Sequence, residues 1–183
     1  MNIKSIGKPG FFGQRASHLA PVFGLILFLI PSLARAEWEV ITLSDTNSDT
    51  TTQVAYTKNE DGYSLEIYKD NVGAIHSRFS LNTALDRFAK RTCPSYQIDL
   101  RLLDNRSINN APCLTDLGWS EFILGYIANN NVTSARLNAL MDGSTIIFRF
   151  MLENGSYEET QFSLAGSKRA TLSALGSEIT IRP

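Results

Sequence analysis

Residues 51–81 read TTQVAYTKNEDGYSLEIYKDNVGAIHSRFSL. Residues 51–57 are rich in β-formers and read as a strand. Asn59-Glu60-Asp61-Gly62 carries a D-G hairpin signal. Residues 63–69 then alternate cleanly, with Tyr63, Leu65 and Ile67 on one face. Asp70-Asn71-Val72-Gly73 is a second turn, and residues 74–81 form a third run with Ile75, Phe79 and Leu81 inward. His76 and Arg78 fall on the opposite face. Residues 37–43, with Trp38 and Val40 on one side, add a strand before these, so residues 37–81 predict a four-stranded antiparallel meander.

Outward from the meander the pattern stays β. Residues 96–103 read as a strand with Tyr96, Ile98, Leu100 and Leu102 inward and Asp99 and Arg101 projecting outward together. Residues 119–128 and 145–152 are apolar on both faces, which predicts central strands. Asn154-Gly155 reads as a primed hairpin turn leading into residues 157–164, with Phe162 and Leu164 inward. Helices are few and short. One or two turns are expected over 82–90, capped by Asn82, with Leu81, Leu85 and Phe88 at helical spacing; residues 132–142 read either as a returning strand or, in the preferred reading, as a short helix capped by Ser134 after an extended entry. A third starts at Ser167 as N-cap and stops at Gly176. A last short strand is expected at 178–181. Parallel sheets need crossover helices for which the chain has no room. The expected fold is therefore mostly β, an antiparallel β-sandwich or curled sheet with two or three short helices.

The ends and the cysteines bound the compartment. Lys4, Lys8 and Arg15 precede a run over 19–33 that is apolar apart from Ser32, and Ala34-Arg35-Ala36 supplies a small-x-small site. That order is the signal-peptide pattern, so residues 1–36 are expected to be removed after Ala36, leaving 37–183 as one domain. The apolar run is shorter than a membrane span and carries Pro21 and Pro31, so no span is expected after cleavage. Of 17 Lys and Arg, four lie in residues 1–36, and none of the 18 Asp and Glu do, which leaves 37–183 at a formal net charge of about −5. An acidic domain of this kind is not built to bind nucleic acid. Cys93 and Cys113 are the only two cysteines, and an even count in an exported chain predicts a disulfide. The expected location is periplasmic or secreted.

Sites of chemistry are sparse. His76 is the one histidine beyond residue 36, and it lies mid-strand with no nucleophile in an activating turn beside it. Ser167-Lys168 is better explained as a helix start than as a nucleophile and base. Asp99, Asp104, Asp116 and Glu121 lie near the 93–113 loop and are the carboxylates on which a hydrolase would draw. Asp45, Asn47 and Asp49 alternate as calcium ligands do, but lack the glycine and the closing glutamate of a calcium loop. No metal and no cofactor is expected. The expected ligand-binding residues are Asp99, Arg101 and Arg106, an acidic and basic group beside the loop suited to an anionic or peptide ligand.

The second half carries a further pattern. Cys113 precedes an apolar strand, a Leu-x-x-Leu-Met-Asp-Gly segment spans 137–143, and a hairpin follows. Phe162-Ser163-Leu164-Ala165-Gly166 then leads into a helix with Ala170. This layout resembles the invasion-associated locus B family of exported proteobacterial proteins, as does Trp38 just after the cleavage site. The family commonly has a further cysteine after that tryptophan, and this chain has none. The resemblance implies a periplasmic or surface protein with no known enzymatic activity. The expectation is an envelope protein that binds a protein or envelope component. The alternatives are a periplasmic hydrolase working through the loop carboxylates and a structural subunit of an envelope complex.

Overall fold

Phe79 and Phe148 stack with ring centroids 4.4 Å apart, and that contact joins two sheets. The computed structural model describes residues 37–45, 50–99 and 113–183, which belong to one compact unit. The first sheet has six strands. β1 (Glu39–Asp45), β2 (Thr50–Lys58), β3 (Ser64–Lys69) and β4 (Ala74–Ser80) form the expected meander, and β7 (Trp119–Tyr126) and β6 (Cys113–Thr115) continue it in the order β1-β2-β3-β4-β7-β6, all antiparallel. The second sheet is β10 (Tyr157–Ser163), β9 (Thr145–Met151) and β5 (Ser95–Ile98), antiparallel with β9 in the middle. Leu65, Ile67, Ile75 and Phe79 on one inner face meet Phe148, Phe150 and Phe162 on the other, all buried. The fold is thus an antiparallel β-sandwich whose core is a cluster of edge-to-face and stacked aromatic rings.

Two helices close the sandwich at its side. α1 (Ala135–Asp142) follows the short β8 (Asn131–Thr133), and Ser134 caps it by accepting from the Leu137 N–H at 3.1 Å, as expected. α2 (Ser167–Leu175) ends at Gly176, also as expected, but its N-cap is Gly166 rather than Ser167. Gly166 has φ +93 in a turn closed by the Ser167 N–H onto Leu164 O, a backbone that glycine adopts at little cost. Ser167 is the first helical residue, fully buried, and its hydroxyl donates to Leu140 O at 2.8 Å, tying α2 to α1. The final strand β11 (Thr180–Arg182) pairs with β8 in parallel, an exception to the antiparallel rule. The long route through β9, β10 and both helices makes that pairing possible.

The turns share one design. Asn59–Tyr63, Asp70–Ala74 and Leu152–Ser156 each close a hairpin by two backbone hydrogen bonds, with only the glycine in left-handed backbone (Gly62 φ +89, Gly73 φ +84, Gly155 φ +87). These are three-residue loops, a type I turn followed by a left-handed glycine. Asn154-Gly155 is therefore not the primed two-residue turn expected. The two-residue turn occurs instead at Asn129 and Asn130 (φ +50 and +58) between Ala128 and Asn131, because asparagine tolerates left-handed backbone.

Other expectations give way to local chemistry. Residues 82–90 form no helix. The Thr83 hydroxyl accepts from the Leu85 and Asp86 N–H groups, and the Phe88 and Ala89 N–H groups bond to Leu117 O and Met151 O. A side chain that serves the local backbone this way competes with the helix. Leu85, expected on the apolar side, is 91% exposed, while Phe88 is buried. The strand expected over 96–103 stops at Ile98, because Asp99 turns into left-handed backbone (φ +50). Residues 100–103 lie outside the described residues. β7 lies next to the edge strand β6 rather than at the centre of its sheet. The Cys93–Cys113 disulfide is present, and it spans the sandwich, joining the approach to β5 in one sheet with the first residue of β6 in the other.

Candidate functional site

Alternation that sends Leu65, Ile67, Ile75 and Phe79 inward sends Glu66, Tyr68, His76 and Arg78 to the outer face of the six-stranded sheet. Register sets Tyr68 opposite His76, Glu66 opposite Arg78, and Arg78 opposite Glu121 of β7. Three side chains from two strands, Tyr68 of β3 and His76 and Arg78 of β4, therefore meet at the Glu121 carboxylate of β7, whose side chain is only 7% exposed. Arg78 donates to Glu121 Oε2 from Nε at 3.0 Å and Nη2 at 2.8 Å. The Tyr68 hydroxyl donates to the same oxygen and accepts from Arg78 Nη2 at 2.7 Å. His76 Nδ1 lies 2.9 Å from Glu121 Oε1, a charge contact without hydrogen-bond alignment, and its ring stacks on Tyr68 at 5.2 Å.

The β3–β4 turn completes the cluster. Asp70 Oδ1 accepts from the Val72 and Ala74 N–H groups and so shapes the turn, while Oδ2 accepts from His76 Nε2 at 3.1 Å. Burial alone would raise the Asp70 carboxyl, but the hydrogen bonds from His76 and from the two N–H groups outweigh it, and its pKa lies below the ordinary aspartate value. Burial pushes the Tyr68 hydroxyl far up, and its hydrogen bond to Glu121 adds to the shift. Burial likewise raises Glu66, against the pull of Arg78, whose Nη1 is 3.8 Å from Glu66 Oε2. The Arg78 guanidinium is held between two rings, 5.2 Å from the Tyr68 centroid and 4.8 Å from that of Trp119.

Beside this cluster, Leu43, Ser44, Thr52, Val54, Tyr68 and Arg78 line an open cleft of about 210 Å³. Small-molecule pockets start at roughly 300 Å³, so this cleft has room for one side chain or one ring. A cleft of about 310 Å³ lies elsewhere, between residues 85–87 and 152–154.

Of the expected ligand-binding residues, Asp99 alone lies among the described residues. Asp99 ends β5, and its carboxylate accepts from the Ser144 N–H at 3.0 Å and the Thr145 N–H at 2.9 Å, fastening the start of β9. Arg101, Arg106 and Asp104 lie outside the described residues, as do 46–49 of the calcium-like run and the whole of 1–36. Asp116 is exposed and accepts from the Leu117 N–H. Among the described residues, Glu121 is the one expected carboxylate that sits in a charged cluster, with His76 as its neighbour. Sequence reasoning placed His76 and Arg78 on the outer face but missed Tyr68, Glu66 and Trp119 as their partners. A glutamate inside the apolar run 119–128 was the available signal, because a charge among large apolar residues needs a partner. Comparison of the chain with protein-family models, with curated proteins and with solved structures finds no match.

Proposed function

We propose that this is an exported protein of the bacterial envelope, cleaved after Ala36, with a non-enzymatic binding role. Its binding surface is the outer face of the six-stranded sheet, centred on Tyr68, Arg78 and Trp119 and the cleft beside them. One observation carries the choice of binding over catalysis: the polar cluster is closed. Glu121 Oε2 takes three donated hydrogen bonds, both ring nitrogens of His76 look onto carboxylates, and among the described residues no hydroxyl or thiol makes a hydrogen bond to His76. A general base needs a free face toward the proton it abstracts. What the cluster offers is a rigid platform of one guanidinium between two aromatic rings, which are the side-chain types that anchor macromolecular interfaces. The small cleft suits a side chain or ring of a macromolecular partner. Export is supported by the disulfide, which persists in oxidising compartments. The resemblance to the invasion-associated locus B family supports the same reading.

Intact mass of the protein from a periplasmic fraction of its native host tests the export. A chain beginning at Glu37 and lighter by two hydrogens until reduction is the expected result; a full-length chain with free thiols would refute it. A photo-crosslinking side chain at Thr52, in the cleft, tests the surface. It is expected to yield a discrete adduct in the intact envelope that the same group at Tyr157, on the other sheet, does not. Equal or absent adducts from both positions would sink the assignment.

A further inference from the structure

The described sheets end in six strand edges, and five are blunted. β6, β8 and β11 have three residues each. β5 has four and is closed by the Asp99 turn. β10 carries Glu158 and Glu159 within the strand, and the Asn59 side chain donates to its Gln161 carbonyl at 3.0 Å. Short length, inward charge and covering groups are the devices by which proteins prevent an edge from pairing. β1 has none of them. Its seven residues, EVITLSD, pair with β2 in an unbroken register from Glu39 to Asp45. No charge or proline interrupts residues 40–44. Among the described residues no strand pairs with its other edge. Val40 and Leu43, on opposite faces of this strand, are 38% and 44% exposed.

In an antiparallel pair, alternate residues of an edge strand direct N–H and C=O away from the partner. Such a row is matched only by another extended backbone, so its occupant is a polypeptide strand. Glu39 and Asp45 bound the strand, and residues 37–183 carry a formal net charge of about −5. Self-pairing centred on Thr42 would set Glu39 opposite Asp45 at both ends, which like charges disfavour. We propose that the free edge of β1 takes up an extended segment of another polypeptide, apolar at alternate positions and flanked by lysine or arginine, as an added strand. Backbone hydrogen bonds would supply affinity, and the alternate side chains beside Val40 and Leu43 would supply selectivity. Leu43 and Ser44 also line the cleft beside Tyr68 and Arg78, so the two surfaces adjoin, but strand addition rests on the backbone groups of the β1 edge and does not depend on the assignment of the cluster.

The test uses the protein purified from its native host and a nine-residue peptide of alternating valine and threonine with a lysine at each end, followed by fluorescence anisotropy and amide hydrogen exchange. Binding is expected, with slowed exchange confined to residues 39–45. N-methylation of the peptide amides on one side of the strand should weaken binding by about tenfold or more, and on the other side should not. The double variant Val40→Lys, Leu43→Lys should lose binding with its fold intact by circular dichroism, while Tyr157→Ala, at an exposed position of the other sheet, binds normally. Binding without protection in 39–45, or binding indifferent to N-methylation, would overturn the proposal. So would an absence of binding with 39–45 exchanging freely. A concentration-dependent dimer that protects these amides without peptide would assign the edge to a second copy and overturn it equally.

Discussion

Glu121 shows at the scale of one residue how a buried charge is kept. Its carboxylate is the shared acceptor for Tyr68 and Arg78 and faces His76. Removing one member of such a group leaves the others buried without a partner, a change that commonly costs about 3–5 kcal/mol. Glu121→Ala should therefore lower the urea midpoint far more than Glu121→Gln, which keeps an acceptor oxygen. Glu66 makes the opposite case. Its folded pKa is raised by burial, so between the ordinary glutamate value and the folded one the native state holds more protons than the unfolded state. Its contribution is fully present below the unfolded pKa and is lost as pH rises through the folded pKa. Glu66→Gln is expected to raise the melting temperature at neutral pH and to have little effect below the unfolded pKa, as thermal melts across a pH series would show. Asp70 has a depressed pKa, so its stabilising contribution is present above the ordinary aspartate value and is lost as pH falls through the folded one.

At the scale of elements, two glycines separate backbone strain from steric collision. Gly155 sits at φ +87 with open space around an added Cβ. Gly155→Ala meets only the left-handed penalty for an L-residue, roughly 1–2 kcal/mol. Gly143, the C-cap of α1, has ordinary φ of −77, yet a Cβ there would lie 2.7 Å from both Ala139 O and Ile98 Cγ2. Gly143→Ala is expected to destabilise by more than Gly155→Ala, with denaturant midpoints as the measure, because α1 or β5 must move to admit it. The same contrast explains what could be read in advance. The meander was legible because period-2 alternation and glycine turns are local properties of 51–81. The helix expected at 82–90 failed because its apolar spacing was right, but Thr83 and the edges of β7 and β9 competed for its backbone. Ser167 misled because a serine before a helix resembles a cap whether it lies outside the helix or in its first turn. The Glu121 cluster was half legible. The faces of His76 and Arg78 follow from alternation, whereas pairing β4 with β7 spans more than forty residues and carries no local signature.

At the scale of the molecule, the disulfide is a side-chain crosslink between the two sheets, added to the backbone that connects them. It closes a loop with a sequence separation of 20, worth about 3 kcal/mol on the chain-entropy account. Replacing Cys93 and Cys113 together with serine should lower stability by about that amount in denaturant titrations, while leaving the aromatic core and the Glu121 cluster in place.

Trp38, the second described residue, is buried, and its indole N–H donates to Ser163 O at 2.9 Å, a partner 125 positions later. β5 waits similarly for β9, and β8 for β11. A nascent chain emerges N-terminus first, so the six-stranded sheet can assemble while its inner apolar face still lacks β9 and β10, and β5 still lacks its partner. Topologies dominated by distant pairings fold slowly, in roughly milliseconds to seconds. During that interval the meander is an aggregation hazard rather than a folded half. Completion of the domain therefore waits for the β9–β10 hairpin, whose aromatic side chains close the inner face of the six-stranded sheet.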